Sequence, residues 1–320
     1  MTLRLLAAAT GLCLALQAHA QAWPSKPITL VVGSAPGSAP DVYSRAIAEP
    51  MGKLLGTTVV VDNRAGANAN IAAEFVARAP ADGHALWVPA QSQMEINPSA
   101  YADLRWKPAD FAAILKGVEA PVMLVVHPAI PAKTLVELVA HVKANPGKLS
   151  YASFSPGTLS HFLAHQLNEK LGMDLPHIPF KGSGPQVQAL LGGHVGVGFT
   201  QVNTGLAHVQ AGKLVALAVS GAKRWRQLPE VPTLAELGHP ELTAMTWFGL
   251  VARVGTPQPV IDRLIDVAVR AHTDPAIRER LEQMGFDVSA QSGAEFAASL
   301  RDGEARWAKV VKATGFKAAN

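Results

Sequence analysis

The sequence predicts an α/β protein of the periplasmic-binding-protein type of architecture, two α/β lobes with a ligand cleft between them, and three observations lead there. From Ile28 onward short branched runs alternate with amphipathic stretches, the order that calls for parallel strands covered by helices on both faces. The pattern runs to Val88, breaks over an irregular stretch containing Asn97-Pro98 and Lys107-Pro108, and restarts at Val122. The chain has 320 residues, 49% of them apolar, a length that usually divides into two cores.

In the first half, residues 28 to 32 read as a buried strand, and Asp41 opens a helix with Tyr43, Ile47, Met51 and Leu54 on its apolar side. Pro50 is expected to kink that helix. Residues 58 to 61 form the next strand, 70 to 79 a helix and 85 to 88 a third strand. After the restart, residues 122 to 126 are a strand, and Thr134-Leu135-Val136-Glu137 is a capping box opening a helix that Asn145-Pro146-Gly147 ends. Strands follow at 149 to 153, 177 to 180, 195 to 199 and 214 to 219. Helices are expected at 158 to 171, 185 to 191 and 205 to 211. A late strand at 247 to 251 precedes helices from Pro257, Asp274 and about Gly293. There is no internal repeat, so the lobes are joined by crossing segments, with Val122 to Val126 and Trp247 to Val251 as the candidates. The expected division is a signal peptide over 1–20, one discontinuous lobe over 21–122 and 247–320, and a second over 123–246.

The leader rests on Arg4, an apolar run from Leu5 to Leu16, and the small residues of Ala18-His19-Ala20, which predict cleavage after Ala20 and export to the periplasm. The apolar run is shorter than the ~20 residues that span a bilayer. The single cysteine, Cys13, lies in this leader behind Leu12, where a lipoprotein signal has a small side chain. The rest of the chain therefore has neither disulfide nor thiolate chemistry. Of 28 basic residues only Arg4 lies in the leader, against 24 acidic residues beyond it, so the net charge is slightly positive and the basic residues are scattered. That balance excludes a nucleic-acid partner and mildly favours anionic ligands.

No nucleophile elbow, P-loop, dinucleotide-binding glycine motif or H-E-x-x-H is present, which counts against an enzyme, and no cofactor is called for. His161 and His165, one helical turn apart with Glu169 beyond, have zinc-compatible spacing, but an ordinary histidine pair on a helix is commoner. Trp23, Trp87 and Trp247 are readable as pocket residues or as core. Lys223-Arg224-Trp225-Arg226 reads as a solvated surface turn. More informative are two turns placed where a strand ends and a helix begins, because N–H groups at helix N-termini attract anions there. One is Ser34 to Asp41, through Ala35-Pro36-Gly37-Ser38-Ala39-Pro40. The other is Ser153-Phe154-Ser155-Pro156-Gly157-Thr158. Facing one cleft, they offer a carboxylate the N–H groups of Gly37, Ser38, Gly157 and Thr158 and the hydroxyls of Ser153 and Ser155. Plain helix capping uses the same residue types.

Seven motifs in order, Trp23-Pro24-Ser25-Lys26-Pro27-Ile28, Ala35-Pro36-Gly37, Asp62-Asn63-Arg64-Ala65-Gly66-Ala67, Ala81-Asp82-Gly83-His84, Tyr151-Ala152-Ser153 with Gly157-Thr158 and His161, His177-Ile178-Pro179-Phe180-Lys181-Gly182, and Leu228-Pro229-Glu230-Val231-Pro232-Thr233, resemble those of the Bug family. These are periplasmic solute-binding receptors of tripartite tricarboxylate transport systems. The resemblance implies a monomeric two-lobed protein that closes on a small carboxylate and delivers it to integral-membrane permease subunits. It also implies that the two turns grip the ligand's inner carboxylate. The site residues it points to are Ser34, Pro36, Gly37, Ser38, Asp41, Gln91, Ser92, Ser153, Ser155, Gly157, Thr158, His161, Lys181, Thr200 and Gln201.

The chain departs from the family pattern in the same turns. Gly37-Ser38 stands for a Gly-Gly pair, Gly33-Ser34 for Pro-Phe, and Ala67-Asn68-Ala69-Asn70 for a loop richer in glycine. Val195-Gly196 and Thr200-Gln201 stand where acidic residues are frequent, which disfavours recognition of a ligand ammonium. Two other readings are a ligand-sensing subunit for a membrane two-component kinase and a metal-binding protein using His161, His165 and Glu169.

Overall fold

The structure is a computed structural model that describes residues 23–318, so the leader and the expected cleavage at Ala20 lie outside the described residues. Its strands are β1 (Ile28–Val32), β2 (Val59–Asn63), β3 (Ala85–Val88), β4 (Phe111–Ala120), β5 (Val122–Val126), β6 (Tyr151–Ser153), β7 (His177–Pro179), β8 (Val197–Gln201), β9 (Val215–Val219), β10 (Thr246–Arg253) and β11 (Asp287–Ser292). Its helices are α1 (Ala39–Leu55), α2 (Asn70–Arg78), α3 (Gln91–Glu95), α4 (Asn97–Ala100), α5 (Leu135–Ala144), α6 (Leu159–Leu171), α7 (Ser183–Leu191), α8 (Val202–Gln210), α9 (Gln258–Thr273), α10 (Pro275–Gln283) and α11 (Gly293–Thr314). Among the described residues no helix is long and apolar enough to cross a membrane.

The strands form two sheets, one in the order β11-β4-β10-β3-β1-β2 and the other β7-β6-β8-β5-β9. The parallel pairing expected from the βαβα order holds for β1 to β3, while neither sheet is parallel throughout. β1 runs parallel to β2 and β3, and β6 to β7 and β8. β10 and β11 run antiparallel to β4, and β5 runs antiparallel to β8 and β9. The reason is at the crossing. Ala120 pairs with Thr246 in the first sheet and Val122 pairs with Gln201 in the second, so Pro121 alone carries the chain between them without a crossover helix. The return runs from β9 to β10. Ser220 ties the two passages together, accepting from Val122 N–H at 3.0 Å and donating to the Ala244 carbonyl at 2.7 Å.

Two strands escaped the sequence reading. β4, FAAILKGVEA, mixes alanines, Lys116 and Gly117, and it is a strand because α9 and α11 cover it. β11, DVSAQS, is polar and half-buried throughout, as an edge strand is. Elsewhere local signals match the structure. Thr134 caps α5, accepting from Glu137 N–H at 3.2 Å, and α1 runs on through Pro50 to a left-handed Gly56.

The first sheet has one core around Leu30, Tyr43, Ile47, Phe248 and Phe286, and another around Trp87, Trp106, Phe111, Trp247 and Phe296. Trp87 and Trp247 are thus core residues. The second sheet's cores hold Leu124, Phe162, Leu167 and Phe199 on one face and Met123, Leu206 and Trp225 on the other. The reading of residues 223–226 as a solvated turn is corrected at Trp225, which is buried. Helix α11 begins with Phe296 in the first sheet's core and ends with Trp307 and Val311 in the second's.

Candidate functional site

Both turns singled out in the sequence border one cavity of about 330 Å³ between the two sheets. The first turn leaves β1 and enters α1. Its φ-positive Gly37 makes the reversal, Ser38 is the N-cap, and Pro40 starts the helix where a missing N–H costs nothing. The Asp41 carboxylate braces the turn from inside. It accepts from Gly37 N–H at 2.9 Å, Arg45 Nε at 3.1 Å and Asn63 Nδ2 at 3.0 Å. Burial pushes this carboxyl up, and the bonds from Arg45, Gly37 and Asn63 outweigh that, holding it below the usual carboxylate range.

The second turn leaves β6 and enters α6. Thr158 Oγ1 donates to the Ser155 carbonyl at 2.6 Å, Phe154 N–H donates to Ser160 Oγ at 3.1 Å, and Gly157 N–H donates to His161 Nδ1 at 3.2 Å. Ser153 Oγ lies 2.7 Å from His177 Nε2. The His161 ring stacks on His177 at 4.2 Å and meets Phe316 edge-on. Burial first, then the neighbouring histidines, pulls His161 down to about 3, which matches an Nδ1 that accepts and stays unprotonated. His165 Nε2 lies 3.4 Å from Glu169 Oε1. Among the described residues no group of three or more His, Asp, Glu or Cys is arranged to hold a metal ion.

Of the expected site residues, Ser34, Ser38, Ser92, Ser155, Thr158, Lys181 and Gln201 line the cavity. Pro36, Gly37, Asp41, Gln91, Ser153, Gly157, His161 and Thr200 do not line it. The N–H groups of Gly37 and Gly157 and the hydroxyl of Ser153 are corrections to the expected donor set, because each already has an internal partner. Gln91 donates to Glu95 at 2.9 Å, inside the wall. Thr200 is fully buried one residue behind Gln201, with its hydroxyl unpartnered.

Sequence reasoning missed Asn68, Gln93, Tyr101, Phe154, Phe180, Ser183, Thr246 and Phe248, which also line the cavity. Thr246 and Phe248 come from β10 and Gln93 and Tyr101 from the stretch around α3 and α4, where no local pattern marks them, while Phe154 lies within the second turn itself. Ser183 had a signal, since it follows Gly182 at the start of α7. Its Oγ accepts from Ala39 N–H of α1 at 3.4 Å, and Ser92 Oγ accepts from Leu159 N–H of α6 at 3.3 Å. Each helix start is thereby met by a serine from across the cavity. The hydroxyls of Ser34 and Ser38 are buried without partners. Among the described residues Lys181 is the only charged one lining the cavity, and it pairs with no other.

The loop opposite the turns is strained. Ala67, Asn68 and Ala69 have φ of 46°, 47° and 68°, a left-handed run that costs non-glycine residues about 1–2 kcal/mol each. Asn68 and Asn97 hold it by exchanging bonds, Asn68 Nδ2 to Asn97 Oδ1 at 2.8 Å and Asn97 Nδ2 to the Asn68 carbonyl at 3.1 Å. Gly33 makes room, because a Cβ there would lie 2.0 Å from that of Ala69. Exposed Ala67 is the place to relieve the strain. Ala67→Gly is expected to raise stability by about 0.5 kcal/mol, the relief less the added freedom of the unfolded chain. A lower denaturation midpoint for this variant would show that the loop is not strained there.

Comparison with known proteins agrees with this geometry. Residues 43–316 match the family model described as the tripartite tricarboxylate transporter family receptor. Protein BugT of Bordetella pertussis is 33% identical over 300 residues, covering 93% of this chain and 92% of the relative. The solved periplasmic binding protein BugD superposes with a TM-score of 0.87 at 33% identity, covering 92% of this chain and 99% of that one. A Rhodopseudomonas palustris protein solved with adipate does so with a TM-score of 0.88 at 29% identity, covering 92% and 99%. The fold is that of the periplasmic binding proteins, and the chain belongs to the receptor family of the tripartite tricarboxylate transporters.

Proposed function

We propose that this protein captures a small carboxylate that carries no ammonium group, between a lobe of residues 21–122 and 247–320 and a lobe of 123–246, and hands it to the permease subunits of a tripartite transporter. It acts as a monomer in the periplasm after cleavage at Ala20, and performs no chemistry on the solute. The observation that carries this reading is the pair of buried hydroxyls of Ser34 and Ser38, unpartnered among the described residues, beside a cavity whose described lining has one cation and no acidic side chain. An unmade hydrogen bond at a buried polar atom costs about 1–3 kcal/mol, so these groups favour a ligand that bonds to them, and the Lys181 charge favours one that is an anion and so an acceptor. A carboxylate is such a ligand, and the starts of α1 and α6 add N–H dipoles of the matching sign. An ammonium finds no carboxylate to pair with. The Rhodopseudomonas palustris relative was solved with adipate, an amine-free dicarboxylate, which supports the same class. Ser38, Ser155, Thr158 and Ser183 position the carboxylate, while Ser34, Ser92, Lys181 and Gln201 contact the rest of the solute. A few charge-assisted bonds of about 1.5–3 kcal/mol each suffice for micromolar binding, about 8 kcal/mol.

The test is a thermal-unfolding screen of the mature protein against mono-, di- and tricarboxylates, amino acids and sugars. At a hundred times its dissociation constant a carboxylate is expected to add about 2.7 kcal/mol. A flat response to every carboxylate, with sugars shifting the transition instead, overturns the reading, and a preference for amino acids overturns the exclusion of ammonium.

A further inference from the structure

The run from Lys223 to Gln227 follows β9 of the second sheet and takes no part in the cavity. Arg224 in this run pairs with Glu236 of the same half, but the partners of Arg226 and Gln227 lie in the first sheet's half of the molecule, at the corner between α10 and β11. Arg226 Nη2 donates to the Phe286 carbonyl at 2.8 Å and lies 2.8 Å from Asp287 Oδ1, and Arg226 Nη1 lies 3.6 Å from Glu282 Oε2. Gln227 Nε2 donates to the carbonyls of Glu282 at 2.7 Å and Gln283 at 3.4 Å. The Gln227 amide is oriented by buried Trp225, whose Nε1 donates to Gln227 Oε1 at 2.8 Å. These carbonyls sit at the C-terminal end of α10, where the helix dipole favours a cation and donors.

The same corner touches the second half at another place. Gly285, at φ +86°, lies so close to the first turn of α8 that a Cβ would sit 3.2 Å from Asn203 Cα and 3.3 Å from Val202 Cγ1. Val202 directly follows Gln201 in the cavity wall. A single corner thus meets the second half through a hydrogen-bonded loop and through the helix that continues from the wall of the site.

We propose that this corner and the loop of Trp225 to Gln227 form a clasp that sets the balance between open and closed forms, making Arg226 and Gln227 positioning residues for ligand retention that never touch the ligand. The proposal rests on the two-lobe closure reading above. A clasp made only in the closed form raises the fraction of binding-competent molecules, and the apparent dissociation constant scales inversely with that fraction for every ligand alike. Arg226 and Asp287 side chains are each 43% exposed, so their ion pair contributes little by itself. The bonds to backbone carbonyls, which keep their geometry whatever the surface charge, carry the effect.

Arg226→Ala is expected to weaken binding of each carboxylate roughly tenfold, the net worth of about one charge-assisted hydrogen bond. Nearly all of the change is expected in the off-rate, with the ranking of ligands unchanged. Arg226→Lys restores part of the loss, and Gln227→Ala shifts binding in the same sense by less. Small-angle X-ray scattering of the ligand-free proteins is expected to give a larger radius of gyration for both alanine variants than for the wild type. Unchanged off-rates and scattering in a folded Arg226→Ala overturn the clasp, as does a loss that differs from ligand to ligand. If Arg226→Ala does not fold, Gln227→Ala decides by the same two readouts. If no carboxylate binds the wild type, the functional reading falls, and the ligand-free scattering still decides the clasp.

Discussion

Replacing Gly117 by alanine is expected to lower stability by about 3 kcal/mol, the upper range for overpacking a core. Gly117 lies in β4, just before the crossing into the second sheet, and a Cβ there would sit 2.1 Å from Tyr43 Oη and 2.5 Å from His272 Nε2. Neither ring can move aside cheaply. Both are fully buried, Tyr43 Oη and His272 Nε2 are hydrogen-bonded at 2.8 Å, and His272 Nδ1 is 2.7 Å from the Ala268 carbonyl. The pair ties α1, whose start faces the cavity, to α9 across β4. Thermal unfolding checks the expectation, with a midpoint lowered by roughly 6–12 °C. Gly117→Ala with Tyr43→Phe is expected to lose less than the two single losses combined, because removing Oη clears part of the overlap. Additive losses would show that the Gly117 contact is not the cause.

The same pair sets the second large effect, a loss of stability on acidification. His272 donates from Nδ1 to the Ala268 carbonyl and accepts the Tyr43 hydroxyl at Nε2, so the folded protein holds it neutral. Burial, partly offset by the Ala268 carbonyl, pulls it down to about 4. In the unfolded chain it takes up a proton near pH 6.5. The stability it contributes is therefore complete above pH 6.5 and is lost as pH falls from there toward about 4, amounting to about 2 kcal/mol by pH 5. His161 and His177, held down to about 3 and about 4 by burial and by neighbouring histidines, act in the same direction. Glu95 and Asp287, both raised by burial, act in the opposite direction. Denaturant titrations at pH 7 and pH 5 test the balance. His272→Gln is expected to reduce the difference by about 2 kcal/mol, and an equal difference in that variant would contradict the assignment.

Much of the fold was legible because its signals are local. β1, β3 and β5 have the boundaries read from their branched runs, and α5 begins at its capping box. β4 was not legible, since its alanines, Lys116 and Gly117 carry no strand pattern of their own. It forms because strands pair on both sides of it and two helices lie over it. The reading of residues 223–226 as solvated failed for the same reason at Trp225 alone, which packs with residues remote in sequence in the second sheet's core.

The candidate site divides along similar lines. The sequence by itself determined the two turns that reverse the chain at helix starts and the family to which the ordered motifs belong. Those follow from residue type and neighbouring sequence. Only the tertiary structure decided which groups face the cavity. Asp41 and His161 have the chemistry of ligand contacts, yet each braces its own turn, and the Ser153 hydroxyl meets His177 of β7, while Ser183 and Ser92 cap helices that begin more than 60 residues away in sequence. A side chain's partner is set by what the fold brings within about 3 Å, and sequence spacing carries that information only within a turn or two of helix.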